Sequence, residues 1–193
     1  MASIAEAPAA PVRLIRLEYL WYVALALAVM VAAIVSQDIW FLNWVHVMSG
    51  VLWTGIDLFM GFVLGPILRS MDVAARKQVL LRLTPKMLFA MPTLAIITGT
   101  AGWFLASDLG YTDLAWPQIG WIYGALVLVT LMTIQGLGYL LPTNLRVCFE
   151  LQKQQPDGAK IGRLMSGYFY AVAAQGLMQV AIIVIMARIV AGI

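Results

Sequence analysis

The chain has 193 residues, of which 63% are apolar and only 11% charged, and its mean hydropathy is +0.91. A soluble domain averages about 45–50% apolar and about 25% charged, so there is too little charge here to coat a water-facing surface. The composition excludes disorder, a soluble globular enzyme and nucleic-acid binding through a basic surface; the solvent for most of this chain is lipid. The net charge is +3 with a pI near 9.2, and in an apolar chain such an excess is a signal of topology. One cysteine, Cys148, cannot close an intrachain disulfide, and one histidine, His46, excludes a metal site needing several His or Cys ligands.

Residues 1–18 read as a flexible cytoplasmic tail, Ala/Pro-rich at its start, with no cleavable signal peptide. Residues 19–193 form a single domain with five long apolar stretches, at about 19–35, 44–64, 87–105, 121–141 and 168–190. A helix rising 1.5 Å per residue needs about 20 residues to cross about 30 Å of hydrocarbon, so each stretch is a transmembrane span. Barrel strands would be half as long and alternating. The expected fold is therefore an all-α integral membrane bundle of five helices. Gly65-Pro66 and Pro142 are expected to stop the second and fourth helices. The basic stretch 69–86, RSMDVAARKQVLLRLTPK, reads as an extension of the second helix or a short interfacial helix, with Pro85 permitting a new start.

Orientation follows from counting. Arg13 and Arg16, the loop after the second span, and the loop after the fourth hold 11 of the 12 basic residues. The other two loops hold Asp38, Asp108 and Asp113 and no basic residue. The positive-inside rule predicts a cytoplasmic N-terminus and an external C-terminus in a cell inner membrane. Six of the seven tryptophans lie near predicted helix ends, as in an aromatic belt; Trp53 lies inside the second helix.

Polar residues inside a bilayer are costly, so each one is informative. At 100° per residue, His46, Trp53 and Asp57 fall within about 20° of one line, with Gly50 about 40° aside. His46 and Asp57 then lie about 16 Å apart along the axis. His46 offers an imidazole nitrogen to a haem iron or another metal, or else is an interfacial histidine bonded to water or a carbonyl. Asp57 falls near the bilayer centre, where a charge costs about 2.5–3.5 kcal/mol. It is either a proton-handling carboxyl or a hydrogen-bonded knot that orients helices, with Thr98, Thr100, Gln135, Gln175 and Gln179 as partners. Gly61-x-x-x-Gly65, Ala95-x-x-x-Gly99 and Thr98-x-x-x-Gly102 are read as helix contacts. Pro92 is expected to kink the third helix. Arg188 snorkels, pairs with an external aspartate, or holds a propionate. Met30 and Met186 have the depth for a second axial ligand. No Walker loop, nucleophile elbow or H-E-x-x-H motif occurs.

Residues 46–55, HVMSGVLWTG, resemble the His-x6-Trp-x-Gly helix of a loose group of small membrane proteins. The group includes CopD-like domains, the membrane domain of bacterial urate-oxidising proteins and HemJ-type protoporphyrinogen oxidases. Pro66 and Arg69, the following basic loop, the entry Arg82-Leu83-Thr84-Pro85 and the Thr/Gly-rich stretch 98–102 keep the same order. The resemblance implies a haem ligand at His46. A lysine functional in HemJ-type proteins has no counterpart, since the corresponding helix begins Gly120-Trp121-Ile122-Tyr123. CopD-like proteins are associated with copper passage.

Together these readings favour an inner-membrane protein that binds b-type haem through His46 and takes part in electron transfer or redox chemistry. Trp53 and Gly50 would lie beside the haem, Arg188 would neutralise a propionate, and Asp57 would exchange a proton. A membrane redox partner or a second copy of the chain would accompany it. The alternatives are a copper or small-solute permeation subunit working through Asp57, Gln135, Gln175 and Gln179, and a structural subunit of a membrane complex.

Overall fold

The computed structural model describes residues 17–153 and 155–192. The tail expected over 1–18 therefore lies outside the described residues except for Leu17 and Glu18, which begin a 3-10 turn. Every regular element among the described residues is helical. Five continuous rods follow in chain order: α1 (Leu20–Ser36), α2 (Ile39–Ser70), α3 (Val73–Asp108), α4 (Ile119–Leu151) and α5 (Gly158–Val190). All five are long and apolar enough to cross a membrane.

The rods α2 to α5 are longer than the apolar stretches that announce them. At 33 residues, α4 measures about 50 Å, longer than the about 30 Å of a hydrocarbon layer, and its last turns lie past its apolar stretch. Three starts are set by aspartates whose carboxylates accept otherwise unpaired backbone N–H groups. Asp38 accepts from Trp40 N at 2.9 Å, Asp72 from Ala75 N at 2.9 Å, and Asp157 from Lys160 N at 2.9 Å. Asp72 starts α3 well before Pro85, so the basic stretch belongs mostly to α3 and not to the second helix.

Neither Gly65-Pro66 nor Pro142 ends its helix. Each is preceded by a π-helical segment, Phe59–Leu64 in α2 and Gly136–Leu140 in α4. Gly65 N–H reaches Met60 O and Leu141 N–H reaches Gly136 O, five residues back. A proline lacks the donor for the i−4 carbonyl and its ring crowds that carbonyl. A widened turn before the ring relieves both, so the rod continues. Pro85 and Pro92 likewise lie inside the continuous α3.

The rod α2 is central, packed on α3, α5 and α1; α4 packs on α5. α3 meets α4 through Leu141–Leu151, at the basic end, and α1 leans on α2 and α3. Two apolar clusters hold the ends. One, with Leu68, Leu80, Val147, Met165 and Phe169, joins α2 to α5 at the basic end. The other, with Met30, Leu42, Val45, Ile97 and Ala101, joins α1, α2 and α3 at the acidic end. Large apolar side chains also cover the outside, among them Val31, Phe59, Val127 and Leu177. Hydropathy therefore does not distinguish the inner face of these helices; close approach and polar contacts do.

Candidate functional site

Small residues bring α2 and α5 together. A Cβ built on Gly61 would stand 2.9 Å from the backbone N and Cα of Ala173, and one on Gly65 would stand 2.8 Å from the Phe169 ring. From the other side, a Cβ on Gly176 would meet Leu58 at 2.7 Å. The Gly61-x-x-x-Gly65 pattern is thus a helix contact, as expected. It sets Asp57, one turn before Gly61, against the middle of α5.

There Gln175 Nε2 and Gln179 Nε2 each donate to Asp57 Oδ2 at 3.0 Å. All three side chains are 3% exposed. Gln175 and Gln179 are one turn apart, so both amides reach one oxygen from a single helix face. The other expected partners are used elsewhere. Gln135 Nε2 donates to Ala171 O at 2.9 Å, which ties α4 to α5. Thr98 Oγ1 donates to Ser49 Oγ at 2.9 Å, which ties α3 to α2. The carbonyl oxygens Gln135 Oε1, Gln175 Oε1 and Gln179 Oε1 are buried with no hydrogen-bond partner among the described residues.

Asp57 and Gln175 line a cavity of about 330 Å³ between α3 and α4, within the size range of small-molecule sites. Trp53, one turn before Asp57, and Tyr168 share this lining. Thr100, Thr133 and Asn144 add polar groups to walls otherwise made of Met87, Met91, Pro92, Met132, Leu137 and similar side chains. The π-helical turn at 136–140 contributes Gly136, Leu137 and Leu140. Ile96, Thr133 and Leu137 on α3 and α4 are exposed at the rim, so the cavity faces outward between these two helices. Gly99 also lines it, and a Cβ there would meet nothing within 4 Å. The Ala95-x-x-x-Gly99 pattern, expected as a helix contact, gives instead a cavity wall at Gly99. Gly99 leaves space because α3 meets α4 through Leu141–Leu151 and the two part toward the acidic end.

His46 lies elsewhere. Its Nδ1 is 3.0 Å from Thr98 O on α3. A carbonyl only accepts, so Nδ1 donates and Nε2 carries the lone pair. The ring lies flush against Gly102, where an added Cβ would stand 2.6 Å from His46 Cε1. Gly50 sits against Thr98, at 3.4 Å from a built Cβ to Cγ2. His46 and Asp57 share a stripe on α2, yet one faces α3 and the other α5. Trp53 belongs with Asp57 at the cavity. Arg188 is exposed on the last turn of α5. Met30 packs in the apolar cluster of α1, α2 and α3. Sequence reasoning missed the α3 and α4 walls. The signals for them, a Pro-flanked glycine-containing turn at 136–140 and a glycine facing open space, have no meaning until the neighbours are known.

Comparison with protein-family models, curated proteins and solved structures finds no match to this chain.

Proposed function

We propose that the chain is a multi-pass inner-membrane protein, with a cytoplasmic N-terminus, that binds a small solute at the Asp57 cavity and passes it through the bilayer. The carrying observation is a buried carboxylate, held by Gln175 and Gln179, at the back of a mid-helix cavity of about 330 Å³. A carboxylate at that depth is costly, and a merely structural knot would need no adjoining space. The basic ends of α3 and α4 support the orientation. The π-helical turns support the passage, since they place wide, less regularly bonded backbone next to the carboxylate and in the cavity wall.

The test is chemical. The full chain is purified from membranes and the small molecules it retains are profiled by mass spectrometry, beside Asp57→Asn and Gly99→Phe. Gly99→Phe has room for its Cβ and fills the cavity. A solute retained by the wild type, lost from both variants and taken up by proteoliposomes of the wild type supports the reading. The same small-molecule content in all three proteins overturns it.

A second reading keeps His46 as a ligand: its Nδ1 contact with Thr98 O ties α2 to α3, as in a histidine bonded to a carbonyl, and is also compatible with ligation through Nε2. That bond fixes the tautomer whose Nε2 is free to ligate iron. In this reading His46 would hold a b-type haem, and the haem would supply reversible one-electron chemistry when bound. The discriminating measurement is a visible spectrum of the purified protein, oxidised and then reduced, made with adequate haem supply. A Soret band lost in His46→Ala supports a haem protein; a colourless preparation removes that reading and leaves the Asp57 cavity untouched.

A further inference from the structure

We propose that the solute of the Asp57 cavity is a small organic cation, an ammonium carried on an apolar body. This rests on the cavity being a solute site and adds its chemical class.

The charge of the site calls for a cation. Asp57 is 3% exposed, and its two bonded neighbours are neutral amides. Among the described residues that line the cavity there is no lysine, arginine or histidine. A buried carboxylate without a counter-charge is costly, and the protein's own side chains here supply none. A cationic occupant supplies it.

The unpaired acceptor beside the carboxylate calls for N–H donors. Gln175 is also 3% exposed; its Nε2 is committed to Asp57, and its Oε1 has no donor. That oxygen points toward Gly136, 4.0 Å from where a Cβ there would sit, and Gly136 lines the cavity. An unpaired buried acceptor is costly, and a group with N–H donors removes that cost. An ammonium has both the charge for Asp57 and the donors for Gln175.

The shape of the cavity calls for an apolar body. Asp57 and Gln175 lie on α2 and α5, and the facing walls of α3 and α4 are mostly aliphatic and thioether, with Thr100, Thr133 and Asn144 among them. A bare metal ion would leave most of those walls unfilled. A lipid headgroup amine is also excluded by depth. Asp57 stands 18 residues from the start of α2 and 13 from its end, or about 27 Å and about 20 Å along the axis. The occupant is therefore a free solute whose apolar part faces the methionine and leucine walls.

The experiment is isothermal titration of the full chain in lipid nanodiscs, with empty nanodiscs subtracted. The probes are matched pairs: butyl-, cyclohexyl- and 2-phenylethylammonium chloride, each against the corresponding alcohol. At least one ammonium is expected to bind ten-fold or more tightly than its alcohol. Asp57→Asn keeps the side-chain shape and is expected to erase that preference. Gly99→Leu, which narrows the cavity without touching the carboxylate, is expected to weaken both members of the pair. Size-exclusion profiles confirm that each variant is folded. An alcohol that binds as well as its ammonium, or a preference that survives Asp57→Asn, overturns the cation and leaves the solute cavity standing. No binding by any member of any pair overturns both.

Discussion

At the residue scale, the same amino acid does opposite things according to what stands opposite it. Gly61 allows the backbones of α2 and α5 to approach, and its missing Cβ is what lets Gln175 and Gln179 reach Asp57. Gly99 faces open cavity. Gly61→Val is therefore expected to destabilise the protein by about 1–3 kcal/mol, the usual effect of forcing atoms into a filled contact. Gly99→Ala is expected to be neutral or to stabilise by about 0.5–1 kcal/mol, from reduced backbone freedom alone. Thermal unfolding of both variants, followed by circular dichroism, checks the contrast; equal effects would refute it. Both residues occur in small-x-x-x-small patterns, and the pattern does not separate them. The pairing of Asp57 with Gln175 and Gln179, by contrast, was legible, because a mid-span carboxylate needs donors and few polar residues lie at that depth.

At the scale of the element, helix ends are decided by local chemistry that hydropathy ignores. Asp72 and Asp157 start α3 and α5 well before their apolar stretches begin. At the far end of α4, past its apolar stretch, Glu150 accepts from Lys160 Nζ at 2.7 Å and from Lys153 Nζ at 2.9 Å. It also accepts from Asp157 N at 3.4 Å, so it fastens the α4–α5 connection. Lys160 and Lys153 hold the Glu150 carboxyl down at about 2, against an ordinary value of 4.5. A depressed carboxyl stabilises the fold above its ordinary value, and the contribution fades as the pH falls through the depressed one. The stability difference between wild type and Glu150→Gln is thus expected to be constant above about pH 4.5. It is expected to shrink as the pH falls toward 2. Denaturation midpoints across that window measure it, and a difference independent of pH would show that the ion pairs contribute nothing. The prolines at 66 and 142 teach a related lesson. In a helix otherwise held on several sides, a widened turn absorbs the missing bond more readily than the rod breaks.

At the scale of the molecule, the segregation of basic residues makes a directional claim. With the N-terminus in the cytoplasm, a cysteine placed at Ser107, in the acidic end of α3, is expected to react in whole cells with a membrane-impermeant maleimide. One at Lys153, in the α4–α5 connection, is expected to react only after the cells are opened. Cys148 is buried and gives little background. The reverse pattern would invert the topology, and labelling of both sites in intact cells would refute the five-span reading.

The sequence by itself determined the helical class, the five helices long and apolar enough to cross a membrane, the charge asymmetry of the loops and the carboxylate in the middle of an apolar helix. These are properties of a chain read against a solvent: length against hydrocarbon thickness, and the cost of a buried charge. Only the tertiary structure decided that His46 and Asp57, in line on one helix, face different neighbours. It alone made Gly99 a wall and Gly61 a contact, and opened a cavity between α3 and α4. The physical reason is that these helices are apolar on nearly every side. Their inward faces are selected by backbone approach and by a few polar bonds between residues far apart in the chain, such as His46 with the Thr98 carbonyl, and no local pattern encodes that meeting.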